Sequence, residues 1–315
     1  MAKYILNRLL WMVIVVIGTA FIIFTILYFT GDPARSLMGA SATPEEVAAF
    51  RAKLGLDRPY LVQLADFMYT TFIKFDLGIS WTYNVPVLEE LWRRLPRTMI
   101  IGYGAMLLNL IVGLLLGVFA GTREGKWQDS TTMAIAMFFV SAPDFWVALM
   151  MIVLFSSVLA WLPAFGIGSF KHYIMPIIAS SLPGLAVNAR MTRSSILEVF
   201  RQDFITTARA KGQDESIVIR KHMLPNALIP IVTVMGNGFA RIIAGSPVIE
   251  SVFSIPGVGL YMLNSINNDD FPALRGSVMF FALFTAVIML LVDLLYAFID
   301  PRIKVQYTSV KARKG

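Results

Sequence analysis

The chain has 315 residues, 57% hydrophobic and 15% charged, with a net charge of +7, whereas a globular domain averages about 25% charged residues. Six spans of ~20 residues would use ~120 positions and leave room for loops, so the composition fits a polytopic membrane protein and argues against a soluble enzyme or a disordered chain. Cysteine is absent and only two histidines occur, His172 and His222, which excludes disulfide frameworks, thiolate chemistry and a His-rich metal site.

Residues 9–30 are free of charge and follow Lys3 and Arg8. A secretory signal would have an apolar core of roughly 7–15 residues ending at small residues. This stretch is longer and runs into Thr30-Gly-Asp-Pro33, so an uncleaved first span is expected. Residues 31–95 mix both charge signs with Pro33, Pro44, Pro59 and Pro86, and read as a small segment outside the membrane. Thr43-Pro44-Glu45-Glu46 joins a capping residue, proline at the first helical position and early acids, so a short helix should begin there.

The second expected span is 98–122, punctuated by Gly102, Gly104, Gly113 and Gly117, which favour close helix packing. A polar turn at 123–129 leads to an apolar tract, 130–161, broken by Pro143-Asp144. From Thr131 this tract would extend ~46 Å as helix, more than a ~30 Å core needs, while residues 131–142 alone are too short to cross. One long kinked span is expected there. A fourth is expected at 172–189, a fifth at 226–248 enclosing Arg241, and a sixth at 276–299 enclosing Asp293.

With the N-terminus in the cytoplasm, six spans leave the start, the 123–129 turn, the 190–222 region and the tail after Asp300 inside. These hold 2, 2, 7 and 5 of the Lys and Arg residues, 16 of the 27. The short outer loops hold only Lys171 and Arg275. That bias places both termini in the cytoplasm.

The cytoplasmic loop 198–225 has a helix, a turn and a second helix. Gly212 stands at a helix-ending position, and Gln213-Asp214-Glu215-Ser216 is a polar restart. Two readings stay open on physical grounds: a short helix seated in a partner's groove, or an amphipathic helix lying on lipid head groups. His222 reads as structural.

The spacing Ala208, Gly212, Leu224-Pro225 resembles the EAA loop of ABC-importer permeases, with Thr206 and Thr207 in place of Glu-Ala and His222 in place of Ile. Thr-Ala-Arg-Ala-Lys-Gly212 and His222 are similar to the oligopeptide/dipeptide permeases. So are Pro44-Glu45-Glu46, Arg51 through Pro59 with Gln63, Asp76-Leu77-Gly78 with Ser80, and Pro143-Asp144-Phe145-Trp146. Arg190 through Glu198, Glu250 through Gly259, and Asp293 through Arg302 extend the resemblance along nearly the whole chain. It is to the first of the family's two permease subunits. Pro225 and Arg241 depart from the pattern.

The resemblance implies an all-α polytopic membrane protein with six transmembrane helices and the type I ABC importer fold, in a bacterial or archaeal inner membrane. Its parts would be 1–30 (N-terminus and first helix), 31–95 (extracytoplasmic), 96–300 (the transmembrane domain) and 301–315 (cytoplasmic tail). Implied partners are a homologous second permease subunit, two ATPase subunits, an extracytoplasmic substrate-binding protein and lipid, with no nucleic acid. The chain has no Gly-x-x-x-x-Gly-Lys-Ser/Thr motif, so ATP hydrolysis is expected to belong to partner subunits and this chain is not expected to be an enzyme. ATP and Mg would be held by the ATPase subunits, and this chain needs no cofactor or metal. Di- or oligopeptides are the implied cargo, with a nickel chelate, glutathione or an opine-like compound as alternatives.

ATPase contact is expected from Thr207, Ala208, Arg209, Ala210, Lys211, Gly212 and Asp214. Asn109, Asp144, Asn188, Asn237 and Arg241 are pathway candidates. For the asparagines, interhelical hydrogen bonding is the alternative; for Asp144 it is local capping beside Pro143. Asp293 is expected to anchor packing. Docking of the binding protein is expected at Glu250, Pro256, Gly257, Asp269 and Asp270. The 254–259 run could be a re-entrant turn or a solvated loop. A secondary transporter would call for internal repeats and midplane ion-coupling charges, a channel for charged rings or a carbonyl filter. Neither pattern is evident.

Overall fold

Helix α1 (Ala2–Thr30) opens the computed structural model, which describes residues 2–39, 41–227 and 247–299. The chain divides into two units, 1–98 with 256–315, and 99–255.

In the first unit α1 runs against α13 (Phe271–Ile299). Helix α1 leaves large apolar side chains exposed on most of its faces, among them Leu10, Trp11, Ile14, Phe21 and Ile22. A helix apolar all round belongs in lipid. Short helices follow. In α2 (Pro33–Met38) Asp32 caps a helix begun by proline. Helix α3 (Pro44–Lys53) starts where Thr43-Pro44 predicts, with a reciprocal capping box between Thr43 and Glu46. Arg51 pairs with Asp32, tying α3 to the cap of α2. Helix α4 (Tyr60–Phe72) folds back along α1, where Phe24 meets the rings of Tyr60 and Phe67 at 5.9 and 5.2 Å. Helix α5 (Val87–Gly121) starts in this unit, where Val87 and Leu91 share a core with Val258 and Tyr261 of α12 (Val258–Asn267) and Ala273 and Phe280 of α13.

The second unit is organised by α8 (Lys171–Phe200). It packs against α6 (Trp127–Ser141) and α7 (Asp144–Met151), the latter continued by a π-helical turn, Ile152–Val158. Helix α11 (Pro247–Val252) joins them, and Ile249 and Phe253 are buried with Ala148, Met175 and Ala179. The second half of α5 lies on α8 through glycines. A Cβ on Gly113 would come within 3.0 Å of Asn188 and within 3.1 Å of the Leu185 carbonyl. One on Gly117 would collide with Thr192 and one on Gly121 would stand 2.8 Å from Ile196. Small residues on successive turns let the two backbones touch, as the glycine pattern predicts.

The expected six spans are corrected by the structure. Among the described residues three helices are long and apolar enough to cross a membrane, Ile5–Thr30, Val87–Gly121 and Phe271–Val292. A fourth is reached only if Trp127–Ser141 and Asp144–Val158 count together, and these are bent by 103°. The expected kink is therefore a corner, because Ala142 turns extended (ψ 130°) before Pro143 restarts the chain. The expected fourth span falls in α8, whose Ser181, Asn188, Thr192 and Ser195 are buried. Its polarity faces protein, which lowers its apolar character as a whole. The expected fifth span lies largely outside the described residues.

Candidate coupling site

After Phe200 ends α8, extended Gln202 redirects the chain into α9 (Asp203–Ala210). An acid in the first turn suits the helix dipole. Eight residues make a rod of ~12 Å. Ile205 and Ala208, three positions apart, face inward and are buried with Ile196, Val218, Met223 and Ala227. Phe204, Thr206, Thr207 and Ala210 are exposed on the other side.

The rod is closed by a tight turn. Gly212 has φ +73°, the left-handed cap that glycine adopts without penalty, and its N–H donates to the Arg209 carbonyl at 2.9 Å. Apart from its two chain neighbours, none of the described residues lies within 4 Å of where its Cβ would stand. Arg209 donates a fork to Glu215 at 3.0 and 2.6 Å, with its guanidinium 4.2 Å from the centre of the Phe200 ring. That hydrogen bond from Arg209 holds the Glu215 carboxyl below the usual glutamate range, and Glu215 raises Arg209 in turn. Asp214 accepts from the Ser216 N–H at 2.8 Å and so caps α10 (Glu215–Ile217), which continues as a π-helix, Val218–Met223. His222 and Gln213 meet at 2.8 Å and tie that helix to the turn, in keeping with a structural histidine.

Two ion pairs fasten this assembly to the turn after α5. Arg193 on α8 forks onto buried Asp129 at 2.5 and 2.7 Å, and Asp129 also accepts from the Gly125 N–H at 3.3 Å. Arg201 reaches Glu124 at 3.0 Å. Sequence reasoning missed Asp129, Arg193, Glu124 and Arg201 as a set. The available signal was a lone acid in the first turn of an apolar helix, Asp129, and arginines gathered toward the end of another, Arg190, Arg193 and Arg201.

The expected site residues divide. Thr207, Ala210, Lys211, Gly212 and Asp214 are exposed on the rod and its turn, whereas Ala208 is packed inside and Arg209 is spent on Glu215 and Phe200. Exposed Phe204 takes a place on the outer face that the sequence reading did not give it. Asn188 donates to Asn109 at 2.5 Å with both side chains buried, so the interhelical bond is what these two make. Asp144 accepts from the Phe145 N–H at 2.8 Å, a local cap. Asn237, Arg241 and the side chain of Asp293 lie outside the described residues.

Of the docking candidates, Glu250, Gly257 and Asp270 are buried and Pro256 and Asp269 half-buried. Asp270 accepts from the Ser80 hydroxyl at 2.5 Å and from the N–H groups of Trp81, Thr82 and Ala273 at 3.1–3.2 Å. The exposed positions there are Ile266, Asn267 and Asn268. At the 254–259 run Ser254 is exposed, but Ile255, Gly257, Val258 and Gly259 are buried, so the run is no solvated loop.

The arrangement is that of a membrane subunit presenting a short rod braced on its own helices. Residues 113–305 match the family described as binding-protein-dependent transport system inner membrane component, and residues 1–102 match its N-terminal region. The chain is 38% identical to the dipeptide transport system permease protein DppB of Alkalihalophilus pseudofirmus, over 96% of this chain and 100% of that one. It is 36% identical to the glutathione transport system permease protein GsiC of Salmonella typhimurium, over 96% and 99%. In fold it is similar to a chain of the inward-facing MetNI methionine ABC transporter, with a TM-score of 0.51 at 20% identity, covering 68% of this chain and 96% of that one. The chain belongs to the binding-protein-dependent transport inner-membrane component family, and is a multi-pass permease subunit of an ABC importer rather than an ATPase.

Proposed function

We propose that this subunit forms half of a translocation pathway for di- or oligopeptides and receives ATP-driven work through the outer face of α9. A homologous permease subunit would complete the pathway, two ATPase subunits would each hold one such rod, and a binding protein would deliver cargo. Closure of the ATPase pair would push α9. Because Ile205 and Ala208 are buried against α8 and the 218–227 segment, and Arg193 and Arg201 tie α8 to the 123–129 turn, the push would reach α5 and α6. A partner can shift such an equilibrium only by binding one state more tightly.

The observation that carries this reading is the two-sidedness of α9: Ile205 and Ala208 anchored within the chain, Phe204, Thr207, Ala210 and Lys211 free for a partner. The peptide cargo is supported by the named activities of DppB and GsiC, since glutathione is itself a tripeptide. The ion pairs that put the 123–129 turn beside the end of α8 support placing both on one side of the membrane. The Lys and Arg distribution supports the cytoplasmic side, with both termini there.

A pair of variants in reconstituted vesicles tests the coupling. Gly212→Ala carries the backbone strain of φ +73° and little bulk, whereas Gly212→Trp carries the same strain plus a large ring built from a Cβ that meets open space among the described residues. Gly212→Ala should keep most ATP-driven peptide uptake, and Gly212→Trp should lose at least about tenfold, equivalent to ~1.4 kcal/mol of lost contact. Equal uptake by both variants would refute the assignment.

A further inference from the structure

A polar cavity of about 270 Å³ opens at the end of α1 farther from the N-terminus, in the first unit. One water takes ~30 Å³ of liquid volume, so the space admits a group far larger than water. Its lining includes Phe24, Tyr28, Trp81 and three charges, Asp32, Arg51 and Arg275. Asp32 and Arg51 neutralise each other as an ion pair. Arg275 has no such partner among the described residues. Its Nε donates to the Phe271 carbonyl at 3.3 Å, and its guanidinium lies over the rings of Phe67 and Phe24 at 4.8 and 5.5 Å. Asp270, the residue that caps α13, is nearby, but its carboxylate accepts from Ser80, Trp81, Thr82 and Ala273 and does not line the cavity. The lining itself therefore carries one positive charge more than negative, with the negative charge of Asp270 acting on Arg275 from behind it.

The same helix faces lead into a second cavity of about 310 Å³ whose lining is almost wholly apolar. On α13 the polar cavity takes Phe271 and Arg275, and the apolar one Met279 and Leu283, successive turns at four-residue spacing. On α1 the apolar cavity takes Met12 and Val16, and the polar one Phe24 and Tyr28, on the same side of the helix with buried Ala20 between them. A charged head and a hydrocarbon tail fit that sequence of surfaces, and a free anion uses only half of it. The planar fork of arginine matches phosphate oxygens, and aromatic rings beside a cation mark the depth of head groups.

We propose that Arg275 and these two cavities form a binding site for an anionic phospholipid, the phosphate on Arg275 and an acyl chain along α1 and α13. The bound lipid would clamp α4 and the 31–82 segment to the span. The proposal rests on the chain being membrane-embedded and is independent of its cargo or of α9.

Native mass spectrometry of the detergent-purified, delipidated importer complex tests it, with phosphatidylglycerol, phosphatidylcholine and inorganic phosphate as probes. The wild type should retain phosphatidylglycerol about fivefold more than phosphatidylcholine, as one basic residue contributes ~1 kcal/mol toward an anionic lipid. Arg275→Gln should lose the preference, Arg275→Lys should keep most of it, and Met279→Trp, which fills the tail cavity, should weaken retention. Inorganic phosphate at about 10 mM, far above the lipid, should not displace the lipid if the apolar cavity contributes. Equal retention of the two lipids by the wild type, which needs no variant to fold, would overturn the proposal. So would a preference that survives in Arg275→Gln, or displacement by inorganic phosphate, which would make the site one for a free anion.

Discussion

Arg209 and Glu215 hold the turn that closes the rod, and their pairing depends on pH in a definite sense. Glu215 is lowered from its ordinary value of 4.5 by the Arg209 hydrogen bond. The pair's contribution is therefore complete above that ordinary value and is lost as pH falls through the lowered one. A spin label at Ala210 should become more mobile as the medium is acidified past this point, and in Glu215→Gln it should be mobile at every pH. A label equally mobile in both proteins at neutral pH would deny the pair its role. At the Asn109–Asn188 contact, either residue changed to leucine strands a buried amide, at a cost of about 1–3 kcal/mol. Changing both should restore part of the loss, with a coupling of ~0.6 kcal/mol typical of hydrogen bonds between membrane helices. Thermal unfolding in detergent of the two single variants and the double variant measures that coupling. Asp270→Ala leaves the Ser80, Trp81, Thr82 and Ala273 donors without their acceptor and removes a helix cap. It should destabilise the first unit by about 2 kcal/mol or more, which the same melting measurement reads.

At the scale of elements, the α9 rod was legible because Gly212 and the polar restart at 213–216 mark its end. Which side of the rod looks outward was not legible. Ala208 is small enough for either face, and the residues that bury it, Val218, Met223 and Ala227, come from beyond the turn. Ile205→Ala should therefore cost about 2–4 kcal/mol of local stability. Hydrogen exchange should show faster opening of 203–223 in that variant, whereas Phe204→Ala should leave those amides unchanged. The glycine seam of α5 was readable as close packing, although its partner helix was not. The number of spans was misread for two physical reasons. Pro143 gives a corner where a hydropathy profile sees one tract, and α8 hides serine, threonine and asparagine against its neighbours. The fold-back of α4 along α1 depends on aromatic contacts between Phe24 and residues some forty positions away, which no local pattern contains.

For the whole molecule, the family establishes a membrane component that works within a multi-subunit importer, and the burial of Ile205 and Ala208 beside α8 is the route by which we propose force passes from rod to span. Its lack of cysteine makes the central claim directly testable, because a single introduced thiol is unique in this subunit. Single cysteines at Phe204, Thr207, Ala210, Ile205 and Ala208 can each be exposed to a short bifunctional thiol and amine cross-linker in the assembled complex. Cross-links to the ATPase subunit are expected from 204, 207 and 210, few or none from 205 and 208, with a pattern that changes when ATP is bound. Cross-links absent from all three outward positions, in a complex that still transports, would contradict the central claim.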